Sequence, residues 1–408
     1  MSKKFLFLTI LLSFVFAKEI DYNQAKTIAI EWMKKVSNKR KKLIPLAPEL
    51  SYTNKKIKKP PFYIFNLQGG GWVIVSNSDV GSKVLAYSET SSLNIKQAPV
   101  EFRWWLDSVS KILEDTNKAQ KRGTLKHFRK LEPAFAVTPK RSSVGPLLKT
   151  AWGQGVGYNE ECPSDARSIE GNGKVPAGCI AVAMAQIMNY YAWPPKGRGK
   201  NSYVPLSHPE YGRLTVDFGN SFYSWKSSEA PKIVYHSGVA VNMDYGPYGS
   251  SSYLSSANSA LQKYFGYKTS GLIKKGSESV WNTLLINSLD KGHPVLYQGK
   301  GAIVHAFVCD GYKIVDDGIL YHFNWGWYGE ANGWFRIGQI TPLSTHSFNR
   351  NNYAIFDIRP SDASYNTGMK NLKSSFSPWL AFAFVFLALF IVRFQKRLHE
   401  KRYLDFLK

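Results

Sequence analysis

The stretch 178-GCIAVAMAQIMNYY-191 is nearly all apolar and opens on a Gly-Cys pair. Pro176-Ala177-Gly178 leads into it and no breaker follows before Pro194, so it reads as one buried helix with Cys179 in its first turn. Two readings of the thiol are open at this point. A cysteine on an apolar helix is ordinarily an inert core residue. At a helix N-terminus, however, unpaired backbone N–H groups favour the thiolate. A reactive thiol also needs a base for its proton and donors for an oxyanion.

The base has one well-placed source. Residues 303-IVHAFVCDGY-312 read as a buried strand that carries His305 among apolar neighbours, a place where a histidine is ordinarily a satisfied core residue. Further on, 323-FNWGWYG-329 brings Asn324 and Trp325 into another aromatic strand or turn. A catalytic imidazole needs a partner on its second ring nitrogen, and an amide oxygen supplies one without competing for the proton. The neighbouring tryptophan would shield that bond from water. Upstream, 150-TAWGQGVGY-158 sets Gln154 among glycines that permit a tight backbone. Its carboxamide N–H, beside the backbone N–H of Cys179, would make a two-donor oxyanion hole. A lone W-G-Q-G is weak, because glycine loops are common. All four elements in the order Gln, Cys, His, Asn follow the logic of papain-like thiol proteases.

The 408-residue chain is 44% hydrophobic and 14% aromatic, which excludes a disordered protein and leaves room for two or three domains. Its opening, MSKKFLFLTILLSFVFAKE, runs from two lysines through an apolar stretch back to charge, the layout of a secretory signal peptide over 1–17. A second apolar run, 379-WLAFAFVFLALFIV-392, precedes Arg393, Lys396, Arg397, Lys401 and Arg402. With its flanks it makes a candidate transmembrane segment over 378–394 and a basic cytoplasmic tail over 395–408. A buried core helix and a sorting signal that is later removed are the alternatives. The net charge of +24 is scattered, apart from 38-NKRKK-42 and 55-KKIKK-59, so it reads as a solvated surface and nucleic acid is not an expected partner. Three cysteines, Cys162, Cys179 and Cys309, make no disulfide framework and leave at least one thiol over. No two cysteines or histidines sit at zinc-ligand spacing, and neither a metal nor a cofactor is expected.

Between the ends the chain divides by composition. Residues 21-DYNQAKTIAIEWMKKV-36 set Ala25, Ile28, Ala29, Trp32 and Val36 at helical spacing, with Asp21 placed to cap. The runs 62-FYIFNL-67 and 72-WVIVS-76, joined by Gln68-Gly69-Gly70-Gly71, read as a hairpin, and 83-KVLAYS-88 as a third strand. A basic helix is expected from about 101 to 131, with Trp104, Trp105, Leu106, Val109 and Ile112 as its apolar stripe. The turn-rich 138-TPKRSSVGP-146 suits a linker or processing site. One larger domain follows, from Leu147 to about Ile358, and then a polar linker over 361–377.

The segments LLKTAWGQGVGYN, AGCIAVAMAQIMNYYAWP, VNMDYGPYGSSS, HPVLYQG, HAFVCDGY and FNWGWYGEANGWF together resemble the streptopain family of secreted bacterial cysteine peptidases. The resemblance runs from about Pro146 to Pro360, and YIFNLQGGGWVIVSNSDVGSKVLAYSE upstream is similar to that family's inhibitory propeptide. It implies an α+β chain: a papain-like cysteine protease fold over 142–360, preceded by a small α+β propeptide domain over 18–141. It further implies a zymogen with endopeptidase activity and no metal. On that resemblance Cys179 is the nucleophile and His305 the general base and acid. Asn324 would orient the histidine, Trp325 would shield it, and Gln154 would complete the oxyanion hole. The partners implied are protein or peptide substrates and the chain's own propeptide, with the C-terminal segment adding a membrane.

One departure stands out. The family has glycine before its histidine where this chain has Val304, whose branched side chain could crowd a substrate backbone. Cys309 lies on the same strand face as His305 and reads as packing. A Cys162–Cys309 disulfide is open on the sequence. Residues 236-HSGVAVNMDYGPYGSSS-252 would suit a pocket wall. The rival readings are a Cys-His cell-wall amidase or acyl transferase, and a catalytically silent surface-binding protein.

Overall fold

The computed structural model describes residues 19–36, 43–45, 60–91, 93–95, 98–122, 138–300, 304–337 and 352–362. Both terminal apolar runs, expected as signal peptide and membrane segment, lie outside those residues. Among the described residues no helix is long and apolar enough to cross a membrane. The chain forms two compact units, Met1–Arg359 and Pro360–Lys408; of the second only 360–362 are described.

Helix α1 (Tyr22–Val36) begins where the sequence places its cap. Asp21 Oδ1 accepts from Gln24 N at 2.9 Å and Gln24 Oε1 accepts from Asp21 N at 3.0 Å, a reciprocal capping box. Its apolar stripe, Ala25, Ala29 and Met33, is buried together with the faces of three strands. These are β2 (Phe62–Leu67), β3 (Trp72–Ser76) and β4 (Val84–Ser88), with β1 (Leu43–Pro45) paired to β2. The β2–β3 hairpin forms as expected, Asn66 opposite Trp72. Gly71, at φ 106°, is needed in that turn, since a Cβ there would lie 2.9 Å from the Ser88 carbonyl. Helix α2 (Val100–Lys121) buries Trp105, Leu106, Val109 and Ile112, and the rest of the expected helix, 123–131, lies outside the described residues. Trp104 is only partly buried.

The larger region begins with β5 (Ser143–Val144) and the helix that opened the reading, α3 (Cys179–Tyr191). Residues 180–188 of α3 are all buried, as an all-round apolar helix must be. It packs against α4 (Ala230–Ala240) and, on the sheet side, against β11 (Val304–Val315). Ala192 ends it in the left-handed conformation, φ 48°. The hairpin β6 (Lys200–Tyr203) and β7 (Leu214–Asp217) lies between α3 and α4 in the chain. Helix α5 (Leu254–Lys263), the short β8 (Tyr267–Lys268) and β9 (Leu272–Lys274), and α6 (Glu278–Asp290) follow. The chain then forms β10 (Val295–Lys300), β11, β12 (Gly318–Asn324), β13 (Gly333–Phe335) and β14 (Tyr353–Ile355).

The composition boundary is not a boundary in the sheet. Strands run in the order β1-β2-β3-β4-β13-β12-β11-β10-β14-β9, so the N-terminal strands continue the larger region's sheet. The joint is antiparallel, Trp334 opposite Tyr87 and Phe335 opposite Ala86. Beneath it Phe335 packs against Trp72, Phe102 and Trp105 with ring centroids 5.2–5.9 Å apart. Burying each such ring contributes roughly 1.5–3 kcal/mol. The buried guanidinium of Arg336 donates to Val84 O at 2.7 Å and pairs with Asp317 at 2.5 Å.

Strand β11 carries a bulge between Cys309 and Gly311, which leaves Asp310 as the extra residue. Its buried carboxylate accepts from Leu148 N at 2.9 Å and lies 2.6 Å from His322 Nδ1. The bulge thereby ties the chain entering the larger region to the strand that carries His305.

Candidate active site

Cys179 is the first residue of α3, preceded by Gly178 at φ 90° with no side-chain cap and no acidic residue in the first turn. Positive φ alone favours glycine there, and a Cβ would also lie 2.6 Å from Met243 Cε. The thiol is partly exposed, and its Sγ accepts from Ala306 N at 3.4 Å. Ala306 follows His305 on β11, so α3 and β11 bring the two predicted residues together.

His305 is buried, with Nε2 3.0 Å from the backbone oxygen of Trp325. A carbonyl can only accept, so Nε2 carries the hydrogen of this bond. The expected partner, Asn324, is engaged elsewhere. Its Oδ1 accepts from Gln186 Nε2 and Gly326 N, both at 3.1 Å, and its Nδ2 donates to Thr150 O at 2.7 Å and Gln186 Oε1 at 3.2 Å. Gln186 Oε1 also accepts from Trp152 N at 3.2 Å. Asn324 thus fixes the turn that presents the Trp325 carbonyl, and in this structure that carbonyl holds the imidazole.

Trp325 is fully buried; its Nε1 donates to Ala331 O at 3.1 Å and its ring packs 4.6 Å from that of Phe307. The indole beside the His305 ring is instead Trp327, centroids 6.3 Å apart, with Phe307 stacked on the imidazole at 5.9 Å. Of the two indoles in W-G-W, it is Trp327 whose ring pairs with the imidazole.

Gln154 lies in the turn that abuts the start of α3. Its backbone oxygen accepts from Ala177 N at 2.8 Å, two residues before Cys179. The turn is closed over by Tyr328, whose ring atoms would lie 2.4 Å from a Cβ on Gly153. The sequence pattern singles out none of Gln186, Trp327 or Tyr328. Gln186 had a signal: it is the first polar side chain after Cys179 in a helix otherwise apolar to Met188.

No disulfide joins the cysteines, and Cys162 and Cys309 are buried thiols. Burial pushes Cys162 up to about 12, and pushes Cys309 well above the ordinary thiol range with the Asp310 charge beside it. Both stay protonated and inert. Among the described residues no cluster of histidine, cysteine and carboxylate groups is placed to hold a metal.

A groove of about 710 Å³ opens on the Val304 side of the site, lined by Val241, Ser251, Ser252, Tyr253, Leu272 and Val304. Val304 is 49% exposed at its edge. The expected pocket wall over 236–252 is thus half right, because 236–240 form the buried end of α4 and only the loop after them reaches the groove.

Residues 152–335 match the Peptidase C10 family, and residues 17–113 match the Spi protease inhibitor. The chain is 29% identical over 356 residues to streptopain of Streptococcus pyogenes, covering 78% of this chain and 83% of that protein. It is also 29% identical over 312 residues to the thiol protease/hemagglutinin PrtT of Porphyromonas gingivalis, 69% of this chain and 34% of that one. The solved structure of a prointerpain A fragment from Prevotella intermedia superposes with a TM-score of 0.61 at 25% identity, over 78% of this chain and 98% of that one. Over residues 152–335 the chain resembles the Peptidase C10 proteins: it is a cysteine peptidase of papain-like fold with a Spi-type inhibitor segment ahead of it.

Proposed function

From that resemblance we propose an exported, membrane-tethered thiol endopeptidase, made as a zymogen, that cleaves protein substrates through Cys179 and His305. The observation that carries the reading is the uncapped start of α3, where the Cys179 thiol meets the backbone of the His305 strand. His305 Nδ1 takes the thiol proton, and Sγ attacks the peptide carbonyl carbon. The oxyanion is held by the Cys179 N–H and the Gln154 carboxamide. His305 then protonates the departing amine as the C–N bond breaks, and water hydrolyses the thioester. Asn324 acts by fixing the Trp325 turn, and Trp327 rather than Trp325 covers the imidazole. The partly exposed Val304 narrows the groove for a substrate backbone.

The inhibitory unit is assigned to 18–141 and the catalytic unit to 142–360, with 1–17 as the export signal. The segment 378–394 is assigned as the membrane tether, with 361–377 as linker and 395–408 as cytoplasmic tail. Support for the boundary comes from exposure: Lys140 to Ser143 are exposed while Val144 is buried in the sheet opposite Tyr312. Cleavage in that exposed stretch leaves β5 with the catalytic unit.

The test compares the soluble chain from Lys18 to Pro360 with its Cys179→Ala variant under reducing conditions. Wild type is expected to shorten by about the size of the N-terminal unit and to digest casein, and an epoxide thiol-protease inhibitor should block it. The variant should do neither. Equal inertness of both after trypsin has clipped the N-terminal unit would sink the reading.

A further inference from the structure

We propose that Tyr328 is a positioning residue for Gln154, holding the Gly153–Gln154–Gly155 turn against the start of α3. The inference rests on Gln154 as the oxyanion donor. Tyr328 grips the turn on both sides of that residue: its N–H donates to Trp152 O at 3.1 Å, and its hydroxyl accepts from Gly155 N at 2.9 Å. Its ring lies against Gly153, where any side chain would collide with it. On the far side of the turn the Gln154 carbonyl is fixed by Ala177 N, so the backbone carrying the carboxamide is pinned at three points.

Two further features set Tyr328 apart from a packing residue. It is 48% exposed, so burial alone does not hold it. It also adopts φ 53°, a left-handed conformation that glycine or asparagine takes more readily than a bulky side chain. Its ring is braced by Tyr158, centroids 5.6 Å apart, and Tyr158 is stacked on Trp152. A strained, half-exposed tyrosine held by aromatic bracing is explained by what its hydroxyl does. Burial, with the Glu170 carboxylate adding to it, pushes that hydroxyl up to about 12, so it stays neutral at working pH.

An oxyanion donor is effective only when it is already in place as charge develops on the carbonyl oxygen. Loosening the turn therefore acts on kcat and leaves KM alone. Tyr328→Phe removes the hydroxyl and keeps the ring and the backbone bond. Measured on the full chain after maturation, at equal titrated thiol, kcat should fall roughly 3- to 10-fold with KM unchanged, the loss of one ordinary hydrogen bond. Alkylation of Cys179 by iodoacetamide, which develops no oxyanion, should keep its wild-type rate. In a Gln154→Ala background, already slowed roughly 10²-fold, Tyr328→Phe should cost nothing more. The inference is overturned if Tyr328→Phe leaves kcat intact, slows alkylation equally, or costs the same with and without Gln154. An inert Gln154→Ala would instead take down the oxyanion reading and this inference with it.

Discussion

The N-termini of α1 and α3 are finished in opposite ways. At α1, Asp21 and Gln24 close the exposed donors reciprocally, and a carboxylate sits where the helix dipole is positive. The start of α6 is closed too, by Ser277 accepting from Val280 N with Glu278 in the first turn. At α3 there is neither a cap nor an acid, only Gly178 and then Cys179. An uncapped end forgoes about 1 kcal/mol of helix stability. What it gains is a place where negative charge on sulfur or on a substrate oxygen is favoured. Helices α4 and α5 also start without a side-chain cap, so what sets α3 apart is that its open end begins with a thiol.

The largest break in that contrast comes two turns along α3. Gln186→Leu leaves both ends of the Asn324 amide and the Trp152 N–H short of a partner inside the core. We expect a loss of about 3 kcal/mol in urea unfolding of the full chain. Hydrolysis should fall at least tenfold, because the Trp325 carbonyl that holds His305 is no longer fixed. Wild-type stability in this variant would show that the amide pair is incidental. A smaller effect is expected at the closed end. Asp21→Ala should cost about 1 kcal/mol, confined to the N-terminal unit, and leave hydrolysis by the matured enzyme unchanged. A drop in matured activity would mean that α1 is not merely structural.

Local signals carried most of what the sequence made legible. The α1 cap, the Gly-rich hairpin, the apolar helix and the order of Gln154, Cys179, His305 and Asn324 each rest on residues close in the chain or on a resemblance of segments. What escaped is non-local. The β4–β13 joint depends on which edges meet, which neither strand's own pattern encodes. Asn324 was assigned to the imidazole because of its residue type, but Gln186 competes for the same amide and is hidden in a helix read as greasy. Trp325 and Trp327 cannot be told apart without knowing which side of the turn faces His305. Tyr328 needs both its backbone angle and its contact with Gly153 to be seen as more than one aromatic among many.

Of the three thiols only Cys179 is proposed as the reagent, and a single labelling experiment tests this. The full chain would be treated with limiting iodoacetamide between pH 7 and 9, and the labelled residue mapped by mass spectrometry alongside residual hydrolysis after maturation. Cys162 and Cys309 are buried and held protonated above that range, so they should stay unlabelled until the chain is denatured. The predicted result is one equivalent of label, all on Cys179, with activity lost in proportion. Label arriving first on Cys162 or Cys309, or full hydrolysis by a chain alkylated at Cys179, would contradict it.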